Sequence, residues 1–398
     1  MNREPSSAPF ARRSRWIVRV LVALLDFAWV LGPIVAAEPP GSRPLERVMF
    51  RDGKGTSRDL LGTVLTQAAD GGLLLIGQDG RLWTIEPPQL DSRADQQSEF
   101  EPLRLDQQGL ALKAELGERF EIVTTKHYVV ATSAGKPYAA WCASLFERLY
   151  SAFQNYWKQR GMDLDEPEFP LIAIVLKNER EFATFATRDA GADAATAKGY
   201  YSVEHNRIVL YDLTATGNGP ATTATEISRR LGANPFNIAT VVHEATHQIA
   251  FNSGLHTRLA DNPLWVTEGM AMFFETPDLT SRTGWRTVGQ INDLRQKQFQ
   301  EYLAKRRKPD SLSTLIASDA RFTDAELAGD AYAEAWALTY YLAKSKKEAY
   351  AGYLRELSQK PRLVWDKPSD RVSQFQQALG NDLRTIDADF VRYMRKLK

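Results

Sequence analysis

Cysteine is nearly absent. The chain has one, Cys142, in 398 residues, so no intramolecular disulfide can hold it and stability must come from its core. Histidine is also scarce, with five, which makes any regular His spacing conspicuous. Neither sign of charge dominates, since 50 Lys and Arg face 49 Asp and Glu. A near-neutral chain has no global field to draw nucleic acid or an anionic membrane, and no nucleic-acid partner is expected. Repeats and long low-complexity tracts are missing. The mix of 43% apolar and 25% charged residues excludes collagen-like, rod-like and wholly disordered classes.

The longest apolar run stands at the N-terminus. Basic MNREPSSAPFARRSR is followed by an apolar stretch from Val20 to Val35 and a small-residue exit at Val35-Ala36-Ala37. That order reads as a secretory signal over residues 1–37 and an exported chain, periplasmic, cell-envelope or extracellular. An uncleaved anchor is the rival, and only then would a membrane be a partner. Asp26 weighs against it, because an acid in mid-span costs about 2.5–3.5 kcal/mol. No Cys follows the exit, so a lipoprotein anchor is not expected there.

Residues 38–106 read as a small β-barrel or SH3-like module and linker. Short strand-like runs are punctuated by Gly, and LLLIGQDGRLWTI is a hairpin turning at Asp79-Gly80. The polar stretch Asp91–Gln108 reads as the linker. Residues 107–398 form the main body, with an α/β part over 107–230 and a helical part over 231–398. RFEIVTTKHYVVAT alternates like a strand or hairpin, and FPLIAIVLKN is a buried strand followed by an amphipathic helix. Pro137 opens a long helix with apolar residues at i, i+3, i+4 spacing, closed by Gly161; Cys142 fits its buried face. YYSVEHNRIVLYDL reads as a hairpin turning near Glu204–Arg207.

Residues 243–247 read HEATH. With so few His, a chance H-E-x-x-H has odds on the order of half a percent. Asn234-Pro235 before it and Gly254 after it bound a helix, along which Ile238, Val241, Val242, Ala245 and Ile249 form an apolar stripe. His243 and His247 then lie one above the other on a single face. Two imidazoles so placed can bind one tetrahedral Zn²⁺, and Glu244 beside them can take a proton from a water that the metal activates. A catalytic site needs a third ligand. The helix expected after Asn262-Pro263 carries Glu268 among Leu264, Trp265, Val266, Met270, Met272, Phe273 and Phe274. A buried acid in such surroundings needs a partner, which a metal supplies.

His243-Glu244-x-x-His247 followed by Trp265-x-x-Glu268-Gly269-x-Ala271 resembles the gluzincin zinc peptidases, especially the peptidase-MA-like families of unknown function in secreted bacterial proteins. The specific motifs occupy residues 240–275, within a resemblance running from about residue 117 to the C-terminus. Metzincin spacing is not met, since Ala250 and Ser253 stand where its Gly and third His belong. The thermolysin pattern also differs, because Thr267 and Met272 replace its Asn and Asp around the ligand Glu. The resemblance implies an α+β zincin-like metallopeptidase fold, a twisted sheet over the active-site helix with a helical C-terminal half. It implies one Zn²⁺ per chain on His243, His247 and Glu268, with Glu244 as general base and a peptide or protein substrate. It offers Tyr332, at the start of a later helix, as donor to the oxyanion, against a plain packing role beside Trp336 and Tyr340. In the zincin order RIVLYDL, residues 207–213, is the sheet's edge strand, where a peptide could add; an internal strand is the alternative.

Other polar residues have plainer readings. Glu275 is a surface acid or a support for a ligating His, and His256 is a loop residue or a substitute ligand. His127 and His205 read as surface residues, and Lys305–Lys308 as a solvated helix end. Two further functions stay open: a catalytically silent zincin scaffold that binds peptide or cell-envelope material, and a metal-dependent hydrolase of non-peptide amides or esters.

Overall fold

The computed structural model describes residues 43–215, 219–276, 285 and 288–397. The expected export segment, residues 1–37, lies outside them. The fold is α+β, about 50% helical, with two small sheets. Among the described residues no helix is long and apolar enough to cross a membrane.

The first sheet holds β1 (Pro44–Arg51), β2 (Ser57–Gln67), β3 (Leu73–Gly77), β4 (Leu82–Ile85) and β5 (Leu90–Glu99). Its order is β4-β3-β2-β1-β5, antiparallel throughout. The hairpin at Asp79-Gly80 is present. The expected barrel is not: β4 and β5 remain separate edges. The supposed linker is also corrected, because residues 90–99 are β5 and a helix begins at Leu105. β5 carries LDSRADQQSE and is exposed at nearly every position. Backbone pairing to β1 and an Arg93–Glu46 ion pair hold it there. With no apolar face to turn inward, it has no drive to close on β4. One face of the sheet gathers Val48, Phe50, Leu75 and Trp83 into its own small core. On the other face Leu74, Ile76 and Leu82 pack with Phe100 and Phe169. Burial on both faces explains why β3 is an unbroken apolar run.

The second sheet comprises β6 (Glu121–Thr124), β7 (Tyr128–Thr132), β8 (Leu171–Leu176), β9 (Gly199–Ser202) and β10 (Arg207–Tyr211), in the order β6-β7-β8-β10-β9. β7, β8 and β10 are parallel, and the outer pairs are antiparallel hairpins. The strand at 207–211 is therefore internal, and β9 is the edge. A parallel neighbour on one side and its own hairpin partner on the other leave β10 no open flank.

The helices are α1 (Leu105–Leu116), α2 (Lys136–Lys158), α3 (Glu179–Ala190), α4 (Ala224–Gly232), α5 (Pro235–Asn252), α6 (Leu264–Phe274), α7 (Asp293–Lys305), α8 (Ser311–Ala317), α9 (Ala320–Thr323), α10 (Ala328–Ser345), α11 (Lys347–Ser358), α12 (Pro368–Leu379) and α13 (Leu383–Lys396). α1 and α3 cover one face of the second sheet through Leu112, Phe182 and Ala186 against Val129, Ile174 and Val209. α2 and α5 lie in the cluster on the other face, where Phe146, Val241 and Ala245 join Val130, Ala173 and Ile208. Alternate residues of β8 enter opposite cores, as a strand's two-residue period requires. Cys142 is buried on α2.

Candidate metal centre

α5 starts at Asn234-Pro235 and ends before Gly254, whose φ of +74° suits glycine. There the His256 N–H donates to the Ala250 carbonyl at 3.0 Å, and the chain turns back into α6. Every residue of α6 is buried. It is gripped by α10, and Gly269 is small because a Cβ there would stand 2.2 Å from Thr339 Oγ1 and 2.7 Å from the Ala335 carbonyl oxygen.

This packing brings three ligand-type side chains together. His243 Nε2 lies 3.1 Å from His247 Nε2 and 3.2 Å from Glu268 Oε2, and His247 Nε2 lies 3.5 Å from Glu268 Oε1. All three residues are buried, and they form a group that could hold a metal ion. Glu268 Oε1 makes no hydrogen bond, an open acceptor in an apolar setting that a cation would satisfy. Glu244 is equally buried. Its Oε2 accepts from the Tyr201 N–H of β9 at 2.8 Å, and its Oε1 is without a hydrogen-bond partner. So Glu244 is anchored by the sheet edge and is not one of the three ligand-type groups.

Charge follows this geometry. Burial raises the Glu244 carboxyl to about 8, opposed by nearby His243. At His243 burial works downward, yet hydrogen bonds and charge from Glu268 and Glu275 lift the imidazole to about 10. His247 is held well down by burial and by His243. His243 thus lies between Glu268 and Glu275, and its Nε2, which faces Glu268, is the nitrogen a metal would claim.

Glu275 is not a surface acid. It is buried, and it meets His243 Nδ1 at 2.8 Å while accepting from Arg295 at 3.0 and 2.9 Å. Arg295 had no sequence signal, because its partner lies 20 residues away on another element. Tyr332 lies buried on α10, the helix packed on α6, with its ring edge-on to Phe322 at 5.3 Å.

His127 and His205 are also placed differently from expectation. His205 is mostly buried beside the Asp189–Arg207 pair, and burial lowers it to about 3. His127 bonds Glu147 at 2.7 Å under the ring of Tyr150. His256 is fully buried in the turn after α5, outside the ligand group, with both ring nitrogens lacking a hydrogen-bond partner. Of the basic run, Arg307 is buried against Glu334 and Asp387 rather than solvated. His256 is enclosed by apolar packing, and the side chains of His127, His205 and Arg307 are largely shielded against partners distant in sequence.

Residues 237–364, which carry α5, α6 and α10, match a family described as "Protein of unknown function (DUF1570)", within the peptidase-MA-like group. No curated protein shows significant similarity to the chain.

Proposed function

We propose that this chain is a zinc-dependent peptidase of gluzincin type, with a zincin-like arrangement of sheet and active-site helix. The observation that carries the reading is the buried cluster of three ligand-type side chains, His243, His247 and Glu268. Around a tetrahedral ion with bonds of about 2.0–2.2 Å, neighbouring ligand atoms stand about 3.3–3.6 Å apart. Here the two imidazole nitrogens stand 3.1 Å apart. The two oxygens of the one carboxylate face them, Oε2 at 3.2 Å from His243 Nε2 and Oε1 at 3.5 Å from His247 Nε2. One ligand atom from each residue lies within 4.8 Å of the others. Two imidazoles and one carboxylate form a donor set suited to catalytic zinc, and three protein ligands leave a fourth position open.

A zinc ion held by His243, His247 and Glu268 would polarise a scissile carbonyl and lower the pKa of water toward about 7. The remaining work belongs to the chain. Glu275 keeps the proton on His243 Nδ1, which leaves Nε2 its lone pair. The Tyr201 N–H fixes Glu244 Oε2, so Oε1 is free to take a proton from water and pass it to the leaving amine. A dication nearby opposes the burial that raises Glu244 and keeps it a carboxylate at neutral pH. Tyr332 is assigned as the oxyanion donor. The N-terminal motif supports an exported location for this activity.

Cleavage of a peptide library by the zinc-loaded chain tests the reading, with Glu244→Gln beside it. The variant keeps its zinc and loses about 10²–10⁴-fold in kcat. An unchanged rate would overturn the mechanism. Hydrolysis only of non-peptide amides or esters would change the substrate class.

A further inference from the structure

A recess of about 60 Å³ opens between α5 and α6, its apolar wall formed by Val203, Phe251, Leu259, Ala260, Leu264 and Trp365. That is several times the ~10–15 Å³ one water needs. Phe251 is one turn beyond His247 on α5, and Leu264 is one turn before Glu268 on α6. Because His247 meets Glu268 while Phe251 and Leu264 share the recess, the two helices run in opposite directions here. The recess therefore lies about one helical pitch, ~5.4 Å, from the ligands. Consecutive residues of an extended peptide advance about 3.3 Å, so a residue flanking a bond at the metal can reach it. Tyr201 links the recess to Glu244. The Tyr201 ring stacks on Phe251 at 5.8 Å while its N–H holds Glu244, and Val203 follows two residues later.

Three charged residues, Asp261, Asp319 and Arg371, line the same recess, and they satisfy one another. Arg371 reaches Asp261 through Nε at 3.1 Å and Asp319 through Nη1 at 3.1 Å. Asp261 also receives Lys360 at 3.1 Å, and Asp319 Oδ1 accepts the Leu264 N–H at 2.9 Å. A charged side chain entering here would find its counter-ions already committed and would lose its hydration without compensation. Asn262, whose Oδ1 has no hydrogen-bond partner, and Thr267 also line it, but neither is charged, and an aliphatic or aromatic side chain meets mostly carbon.

We propose that this recess is a specificity pocket for an uncharged apolar side chain next to the hydrolysed bond, an assignment that rests on the peptidase reading. Substrates are then peptides carrying a residue such as Leu or Phe at one fixed position from the cut.

The test uses the full zinc-loaded chain and peptides differing at one position, with Leu, Phe, Gly, Lys or Asp there. Cleavage is measured with the parent chain, and equilibrium binding with Glu244→Gln. Ala260→Phe fills the recess and Val203→Ala widens it; zinc content and melting temperature confirm that each variant folds. Leu or Phe is preferred over Gly, Lys and Asp by at least about tenfold. Ala260→Phe removes that preference while sparing Gly peptides, and Val203→Ala moves it toward Phe. Cleavage with no preference, a preference for Lys or Asp, or a profile unchanged in folded variants overturns the pocket and leaves the peptidase reading intact. Binding with the expected order but no cleavage by the parent chain keeps the pocket and removes the peptidase. Neither binding nor cleavage removes both.

Discussion

Glu275 accepts from His243 Nδ1 and is itself clamped by Arg295, so the ring's proton stays on the nitrogen that faces away from the triad. Arg295 and His243 hold the Glu275 carboxyl below its usual range against the upward pull of burial. Glu275→Gln keeps the shape and removes the charge. Zinc affinity, measured by chelator competition, should fall about 10–100-fold; an unchanged affinity would reduce Glu275 to packing. His256 supplies a pH dependence. Burial lowers its folded pKa to about 4 from the ordinary imidazole value of about 6.5, so the proton is taken up on unfolding. The stability linked to it is complete above about pH 6.5 and is lost as pH falls toward 4, on the order of 3 kcal/mol. His256→Phe should thus melt higher relative to the parent chain at pH 4 than at pH 7. A gain equal at both would contradict the assignment. At this scale the sequence shows what one helix can encode: His243, Glu244 and His247 by spacing, and Glu268 by its apolar surroundings. Pairs joining separate elements, such as Glu275 with His243 and Arg295, leave no spacing signature. The partners of His127 and His205, Glu147 and Asp189, were missed for the same reason.

The contact of α6 with α10 is where helix propensity and packing disagree. A glycine inside a helix costs up to ~1 kcal/mol relative to alanine, so Gly269→Ala would ordinarily stabilise. Here the added Cβ lands 2.2 Å from Thr339 Oγ1 and 2.7 Å from the Ala335 carbonyl oxygen, and backbone cannot yield cheaply. Overpacking of this kind costs about 1–3 kcal/mol and should outweigh the propensity gain. Gly269→Ala is expected to lower the melting temperature, and a higher one would show that the helices separate freely. Elements with strong periodicity were legible, including α2, α5, α6 and the β3–β4 and β9–β10 hairpins. β5 was not, because an edge strand held by its backbone needs no apolar alternation. The place of β10 inside the sheet was not either, since strand order depends on partners that local sequence does not name.

Across the whole molecule the centre is assembled from parts that only the complete fold brings together. β9 anchors Glu244, α5 and α6 carry the ligand-type groups, and α7 supplies Arg295. The first sheet braces the same region: Arg258, in the turn between α5 and α6, donates to the Gly80 carbonyl at 2.9 Å, and the Leu82 N–H donates to the Glu204 carbonyl at 2.9 Å. An ion bound only by the folded chain must stabilise it by mass action, about 2.7 kcal/mol at a hundred times Kd. Removing zinc with a chelator should therefore lower the melting temperature, and returning it should restore the value. The most direct test of the central claim is elemental analysis of the purified chain beside His243→Ala and Glu268→Ala. The account predicts about one zinc per chain in the parent protein, lost or greatly weakened in both variants. A folded parent chain that takes up no zinc when zinc is supplied, or variants that bind it as well as the parent does, would contradict it.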